Sequence, residues 1–203
     1  MDLTRPIPKI DLFWEPARNT APKWDTGGMD TPTETTTGQL VGRPFPSVSL
    51  PSTAGSDLSR ADVASGTFIL FIYPRTGRPD QAESPEWSRM PGAKGCTPEA
   101  CEFRDLAADY AGIGFRIYGL SSQDTHYQRE AVDRLHLPYP LLSDPEFELA
   151  DAVGLPTFGF DGERLYTRST LVVSNRIITH AFLNIADAAT HPRQLLETLR
   201  AAN

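Results

Sequence analysis

Cys96 and Cys101 are the two cysteines of a chain of 203 residues. They stand in the stretch Gly95-Cys96-Thr97-Pro98-Glu99-Ala100-Cys101. The pattern reads as the start of a helix: Thr97 suits the N-cap, Pro98 the first turn, and Glu99 the positive end of the macrodipole. A cysteine there meets unpaired backbone N–H groups, which favour thiolate over thiol and lower the pKa from about 8.5. The thiolate is the nucleophilic form, so Cys96 occupies a place suited to a reactive sulfur. Cys101 lies five positions on, which is ~7.5 Å of rise and ~140° of rotation on an intact helix. A disulfide needs Cα atoms about 4.4–6.8 Å apart with converging Cβ vectors. A bond between the two would require the first turns to unwind. The spacing suits a pair that oxidises with a conformational change, and suits a permanent clamp poorly.

Other chemistries find less support. The spacing is C-x-x-x-x-C, not the C-x-x-C of thioredoxin-type reductases. His126, His136, His180 and His191 show no metal-ligand spacing with the cysteines and read as surface or loop residues. No Gly-rich phosphate motif is present. The expectation is no metal and no bound cofactor. The formal charge of −7 argues against nucleic acid or an anionic membrane as partner, because phosphates attract clustered Lys and Arg. No apolar run reaches the ~20 residues of a membrane helix. The first thirty residues hold no apolar leader, and two cysteines are too few for a secreted disulfide scaffold, so a reducing cytoplasm is the expected location.

The elements that must position the cysteines follow from hydrophobic pattern. Residues 1–38 are rich in Pro and Thr and read as an N-terminal arm, flexible or docking through Leu12, Phe13, Trp14 and Trp24. Residues 39–203 read as one domain. A first strand is expected over Pro46–Leu50. Thr67–Tyr73 is a nearly continuous apolar, β-branched run, as in a strand covered on both faces. A long irregular stretch, Arg75–Gly95, contains a loop insertion around residues 78–90. The cysteine helix follows, with Ala100, Phe103, Ala107 and Tyr110 at helical spacing and Gly112 and Gly114 as its stop. Phe115–Leu120 reads as a strand, Asp124–Leu137 as a helix, Pro140–Leu142 as a strand, and Pro145–Val153 as a helix. Ser169–Val173 and Ile177–Phe182 read as two strands around a turn, and Pro192–Ala202 as a final helix. The alternation predicts an α/β fold: a mixed central sheet, parallel with an antiparallel hairpin, and helices on both faces.

Several segments, in order, resemble one family. Gly95–Asp105 (GCTPEACEFRD) resembles the active-site helix of peroxiredoxins, nearest to the Q-type (bacterioferritin-comigratory-protein-like) subgroup. YPRTG at Tyr73–Gly77, FRIYGLSSQD at Phe115–Asp124, LPYPLLSDPEFELADAVGL at Leu137–Leu155 and RSTLVV at Arg168–Val173 are similar to the strands and loops around that helix. The resemblance runs from about Leu40 to the C-terminus. It implies a thioredoxin-like fold and a thiol peroxidase acting on hydrogen peroxide or organic hydroperoxides. By that resemblance Cys96 is the peroxidatic cysteine and Cys101 the resolving cysteine of an intramolecular disulfide, reduced by a thioredoxin-like donor. Arg168 matches the arginine that stabilises thiolate and peroxide, and Glu99 the glutamate that supports it. The protein is expected to be a monomer or weak homodimer.

One departure stands out. The family pattern P-x-x-x-(T/S)-x-x-C places Ala93 at the hydroxyl position and Arg89 at the proline position. Thr76, Ser84, Ser88 and Thr97 are candidates to replace the hydroxyl. The departure motivates an alternative reading: a redox-responsive binding protein on the same fold, with the Cys96–Cys101 pair as its switch.

Overall fold

The computed structural model describes residues 37–58, 63, 66–80, 83–90 and 92–202. The expected arm therefore lies outside the described residues, apart from residues 37 and 38, and so do Trp14 and Trp24. Seven helices are used below: α1 Thr37–Leu40, α2 Pro85–Arg89, α3 Cys96–Asp105, α4 Ala107–Gly112, α5 Thr125–Leu135, α6 Glu148–Val153 and α7 His191–Ala202. The strands are β1 Thr67–Ile72, β2 Arg116–Ser121, β3 Leu141–Ser143, β4 Thr157–Phe160, β5 Glu163–Tyr166, β6 Ser169–Ser174 and β7 Ile177–Phe182.

The run TFILFI makes β1 the centre of a sheet ordered β3-β2-β1-β6-β7. β1 pairs parallel with β2, and β2 with β3; β6 runs antiparallel to both β1 and β7. Alternation along β1 divides the core. Ile69, Phe71 and Tyr73 face a layer with Phe103 of α3, Tyr110 of α4, Ala131 of α5 and Leu195, Leu196 and Leu199 of α7. Phe68, Leu70 and Ile72 face the other layer, with Leu40 of α1 and Leu149, Ala150 and Val153 of α6. This is the expected mixed sheet covered on both faces, and the hairpin β6–β7 turns through Asn175 and Arg176, both at positive φ (49° and 71°).

Four local expectations are corrected. Pro46–Leu50 forms no strand, only bridges such as Leu50 to Leu58, because prolines at 46 and 51 withhold backbone donors. The stretch 75–95 is not wholly irregular: α2 forms within it, where the Ser84 side chain accepts from the Trp87 N–H at 3.1 Å and Pro85 opens the first turn. The cysteine helix starts at Cys96, capped by Gly95 at φ 100° in place of Thr97, and ends at Asp105, where Leu106 breaks the run before α4. The hairpin β4–β5 was not anticipated. Its turn, Asp161-Gly162, has positive φ at both residues (52° and 79°), which is the Asp-Gly hairpin signal.

At the β2 centre the backbone approaches its neighbours too closely for a side chain. A Cβ on Gly119 would meet Leu141 Cδ2 at 2.5 Å and Phe71 Cζ at 2.6 Å. Gly119→Ala should therefore lower stability by about 1–3 kcal/mol through overpacking. Urea unfolding measures this, and an unchanged midpoint would show that the aromatic layer yields freely.

Candidate active site

Arg168 stands just before β6, on the sheet face that carries α3, and is 1% exposed. Its Nη1 donates to Glu99 Oε2 within a fully buried ion pair. Its Nη2 donates to Cys96 Sγ at 3.1 Å, and also reaches the carbonyls of Gly92 and Lys94 at 3.1 Å each. Nε donates to Gly92 O at 3.3 Å. Strand position, loop carbonyls and helix thus converge on one guanidinium. Burying a cation is tolerable only with such a full set of partners. Cys96, Glu99 and Arg168, which the resemblance had grouped, meet here.

The local chain is shaped for this meeting. Gly92 and Gly95 take positive φ (74° and 100°), so the loop can turn its carbonyls toward Arg168 and deliver Cys96 at the first turn of α3. A Cβ on Gly95 would strike Ala188 Cβ at 2.8 Å, so the segment before α7 packs directly on this turn. Cys96 is buried, and its thiol donates to Ala93 O at 3.6 Å. Cys101 lies further along the same unbroken helix, half-buried beside the Phe71–Phe103 layer, and both thiols are free.

Electrostatics correct one expectation. Burial pushes the Cys96 thiol up from its ordinary value; Arg168 pulls it down by charge and hydrogen bond, and Glu99 pushes it up again. Position at a helix end alone had suggested a lowered value. Burial withdraws the sulfur from water and so disfavours its charged form. Burial likewise raises Glu99 to about 7 against the pull of Arg168.

Ala93, at the hydroxyl position, is buried in a small apolar cluster with Trp87 and Leu165, flanked by Met90, Phe158 and Phe160. The candidate replacements point elsewhere or are committed. Thr76 Oγ1 donates to Gln123 Oε1 at 3.1 Å, and Ser84 caps α2. Among the described residues, neither Ser88 nor Thr97 hydrogen-bonds the sulfur through its side chain. Trp87 of α2 packs with Ala93. Arg75 lies over the Trp87 ring at 4.0 Å and near Phe160 at 5.3 Å, which ties α2 to the β4–β5 hairpin. The Arg75 backbone N–H is directed to Cys96 and favours its thiolate. An open cleft of about 580 Å³ lies outside the ends of β1, β2 and β3, lined by Arg75, Thr76, Gln123, Tyr127, Phe147 and Leu165. Cys96 does not line it.

His191 was read as a surface or loop residue, and this is corrected: it is 6% exposed, its Nε2 lies 3.0 Å from Thr170 Oγ1, and its ring meets Phe182 edge-on. Its apolar neighbours come from strands distant in sequence, so no local pattern marks it. Trp87 of α2 packs on Phe158 and Phe160, which belong to the hairpin that was not anticipated.

These features agree with the comparisons. The chain belongs to the Redoxin family, whose model matches residues 40–195. Its relatives include proteins named as peroxiredoxins, several of them Bcp and one peroxiredoxin Q. A putative peroxiredoxin of Mycobacterium tuberculosis is 31% identical over 119 residues, covering 59% of this chain and 66% of that protein. The peroxiredoxin bcp1 of Schizosaccharomyces pombe is 30% identical over 115 residues, 56% of this chain and 51% of that one. These matches thus span less than two thirds of the relatives' own length. Among solved structures, the peroxidoxin BcpB of Mycobacterium tuberculosis superposes with a TM-score of 0.64 at 27% identity, over 81% of this chain and 98% of that one. Peroxiredoxin Q of Xylella fastidiosa, at 18% identity and a TM-score of 0.65 over 80% and 96% of the two chains, shares the fold. Among the described residues no helix is long and apolar enough to cross a membrane.

Two buried groups set opposed pH slopes. Burial and the nearby Arg168 charge push His191 down to about 4 from 6.5, so it is neutral when folded and takes a proton on unfolding; its contribution is lost as pH falls from 6.5 through 4. Glu99, raised from 4.5 to about 7, holds a proton when folded that the unfolded chain releases; its contribution is lost as pH rises from 4.5 through 7. In His191→Gln the Glu99 slope stands alone. The variant's stability should decline more steeply than the parent's as pH rises from 4.5 to 6.5. Parallel pH profiles in thermal unfolding would contradict these assignments.

Proposed function

We propose that this protein is a thiol peroxidase that reduces hydrogen peroxide or organic hydroperoxides through Cys96. The observation that carries this reading is the hydrogen bond from the buried Arg168 guanidinium to the Cys96 sulfur at 3.1 Å. A cation in that position favours thiolate and can also hold peroxide oxygens. Kinship with proteins named as peroxiredoxins favours this reading over a redox-responsive binding protein.

The Cys96 thiolate attacks the O–O bond and becomes sulfenic acid. Cys101 then condenses with it, releasing water and forming the intramolecular disulfide. Contacts on α3 support a division of labour in that step. The Tyr139 hydroxyl donates to Ala100 O at 2.6 Å, Phe103 stacks on Phe71 at 4.6 Å, and Arg193 pairs with Glu102 at 2.6 Å. All three anchor the Cys101 end of the helix. The Cys96 end is preceded by two glycines at positive φ. Cys96 is therefore the sulfur that travels, as the first turn unwinds to meet Cys101. A thioredoxin-like donor reduces the disulfide. Arg168 and Glu99 are the supporting pair, the arm of residues 1–38 is a separate extension from the domain of residues 39–203, and the protein works in the cytoplasm as a monomer or weak homodimer without bound cofactor.

Stopped-flow tryptophan fluorescence tests this, because Trp87 packs against Ala93 beside the site. The reduced protein should show fast, peroxide-dependent oxidation that is absent in Cys96→Ser. Cys101→Ser should still oxidise but halt at a sulfenic acid that dimedone traps. Oxidation of the parent no faster than that of a free thiol would overturn the reading.

A further inference from the structure

The site holds one cation and two acids. Cys96 and Glu99 lie three residues apart on α3, one turn of the same helix, and both hydrogen-bond the same guanidinium. The guanidinium carries one positive charge, so it balances one anion. Thiolate and carboxylate together would leave a net negative charge in a site where Glu99 is 0% and Arg168 1% exposed. Such a charge is costly to bury. Around neutral pH, then, Cys96 and Glu99 share one proton between them.

The remaining atoms of Glu99 bear on where that proton sits. Oε2 is held by Arg168, but Oε1 is buried and has no hydrogen-bond partner among the described residues. A buried carboxylate oxygen without a partner is unfavourable. A protonated one can donate, and Oε1 is the oxygen left to carry the proton. The groups facing Glu99 do not compete for the role. Tyr73, just after β1, and Tyr139, before β3, are both held far above neutral by burial, and each stays protonated. His191, which faces Arg168 from α7, is neutral at pH 7. Ala93 leaves this region without the hydroxyl that could have relayed a proton, and Thr76 Oγ1 is committed to Gln123.

We infer that Glu99 is the proton carrier of the peroxidase reaction: it receives the Cys96 thiol proton and returns it to the departing alkoxide. The inference rests on the peroxidase reading above. The steps balance. Cys96–SH and Glu99–COO⁻ become Cys96–S⁻ and Glu99–COOH. The thiolate attacks the terminal oxygen of ROOH; the S–O bond forms as O–O breaks, sulfur is oxidised by two electrons, and RO⁻ departs. Glu99–COOH protonates RO⁻ to ROH, or to water when R is hydrogen, and is again a carboxylate beside Arg168. The hydroxyl stays on sulfur as sulfenic acid. Arg168 keeps its charge throughout and holds both partners.

This role has a signature that a merely orienting glutamate lacks. The active form holds one proton on the pair, so the rate should follow a bell-shaped pH profile, falling at high pH when both groups are ionised. The need for a proton also depends on the oxidant. Hydrogen peroxide leaves a strongly basic hydroxide, whereas peracetic acid leaves acetate, which needs none.

Glu99→Gln keeps an amide oxygen to accept from Arg168 but cannot carry a proton. With hydrogen peroxide its second-order rate should fall by about 100-fold, the lower range for loss of a general acid. With peracetic acid the fall should be much smaller, because only the return of the proton is then dispensable, and the alkaline limb of the profile should vanish. An equal loss with both oxidants would overturn the proposal and leave Glu99 only a positioning residue. Should the variant not fold, the parent alone decides. Its rate should depend less steeply on leaving-group basicity, across peracids and alkyl hydroperoxides, than that of a small-molecule thiol; equal slopes would overturn the proposal. A parent slow with every oxidant would instead sink the peroxidase reading itself.

Discussion

A single buried guanidinium imposes its requirements on most of this structure. Arg168 is 1% exposed and has five acceptor contacts: a carboxylate, a sulfur, the Lys94 carbonyl, and the Gly92 carbonyl from two of its nitrogens. A cation withdrawn from water must be met by such a set, or it destabilises the fold by several kcal/mol. Supplying them requires β6 beside β1 in the sheet, α3 packed across that sheet, and a loop of two left-handed glycines turning its carbonyls inward. The aromatic layer of Phe71, Phe103 and Tyr110 fixes α3 at the right height. Packing thereby becomes electrostatics: rings position the helix, and the helix positions a sulfur and a carboxylate on one charge.

The surroundings of Ala93 give the site its particular character. A hydroxyl there would stand near the sulfur. The protein instead places a methyl group and covers it with Trp87 from α2, Leu165 from β5, and the flanking Phe158 and Phe160. Arg75 lies against two of those rings by its side chain, while its backbone faces Cys96. Helix α2 and the β4–β5 hairpin thus form one apolar wall on the site. Polarity at the sulfur comes from Arg168, whose Nη2 donates to it at 3.1 Å.

Much of this was legible in the sequence because the determining signals are local. The TFILFI run announced a covered central strand, and GCTPEAC announced a helix start bearing a sulfur. The register of Ala100, Phe103 and Tyr110 gave the buried face of the cysteine helix, though not its break at Leu106. Arg168 and Glu99 came through family resemblance, since nothing in RSTLVV alone says that its arginine points inward. What escaped depends on contacts distant in sequence. His191 packs on Phe182 and Thr170, and the upward push on Cys96 comes from its burial in the folded chain. The Asp161-Gly162 turn was a readable signal that went unused. The helix within 78–90 was readable as well, from Ser84 followed by Pro85 and Glu86.

The claim on which the rest hangs is that Arg168 makes the Cys96 thiolate accessible in a site whose burial opposes it. The rate of Cys96 alkylation by iodoacetamide across pH, compared between the parent and Arg168→Gln in a Cys101→Ser background, measures this directly. Removing the opposite charge in contact with the sulfur should move its alkylation profile to higher pH and slow alkylation at neutral pH by about 10-fold or more. Superimposable pH profiles would contradict it, and would place the control of Cys96 elsewhere than in the arginine around which the site is built.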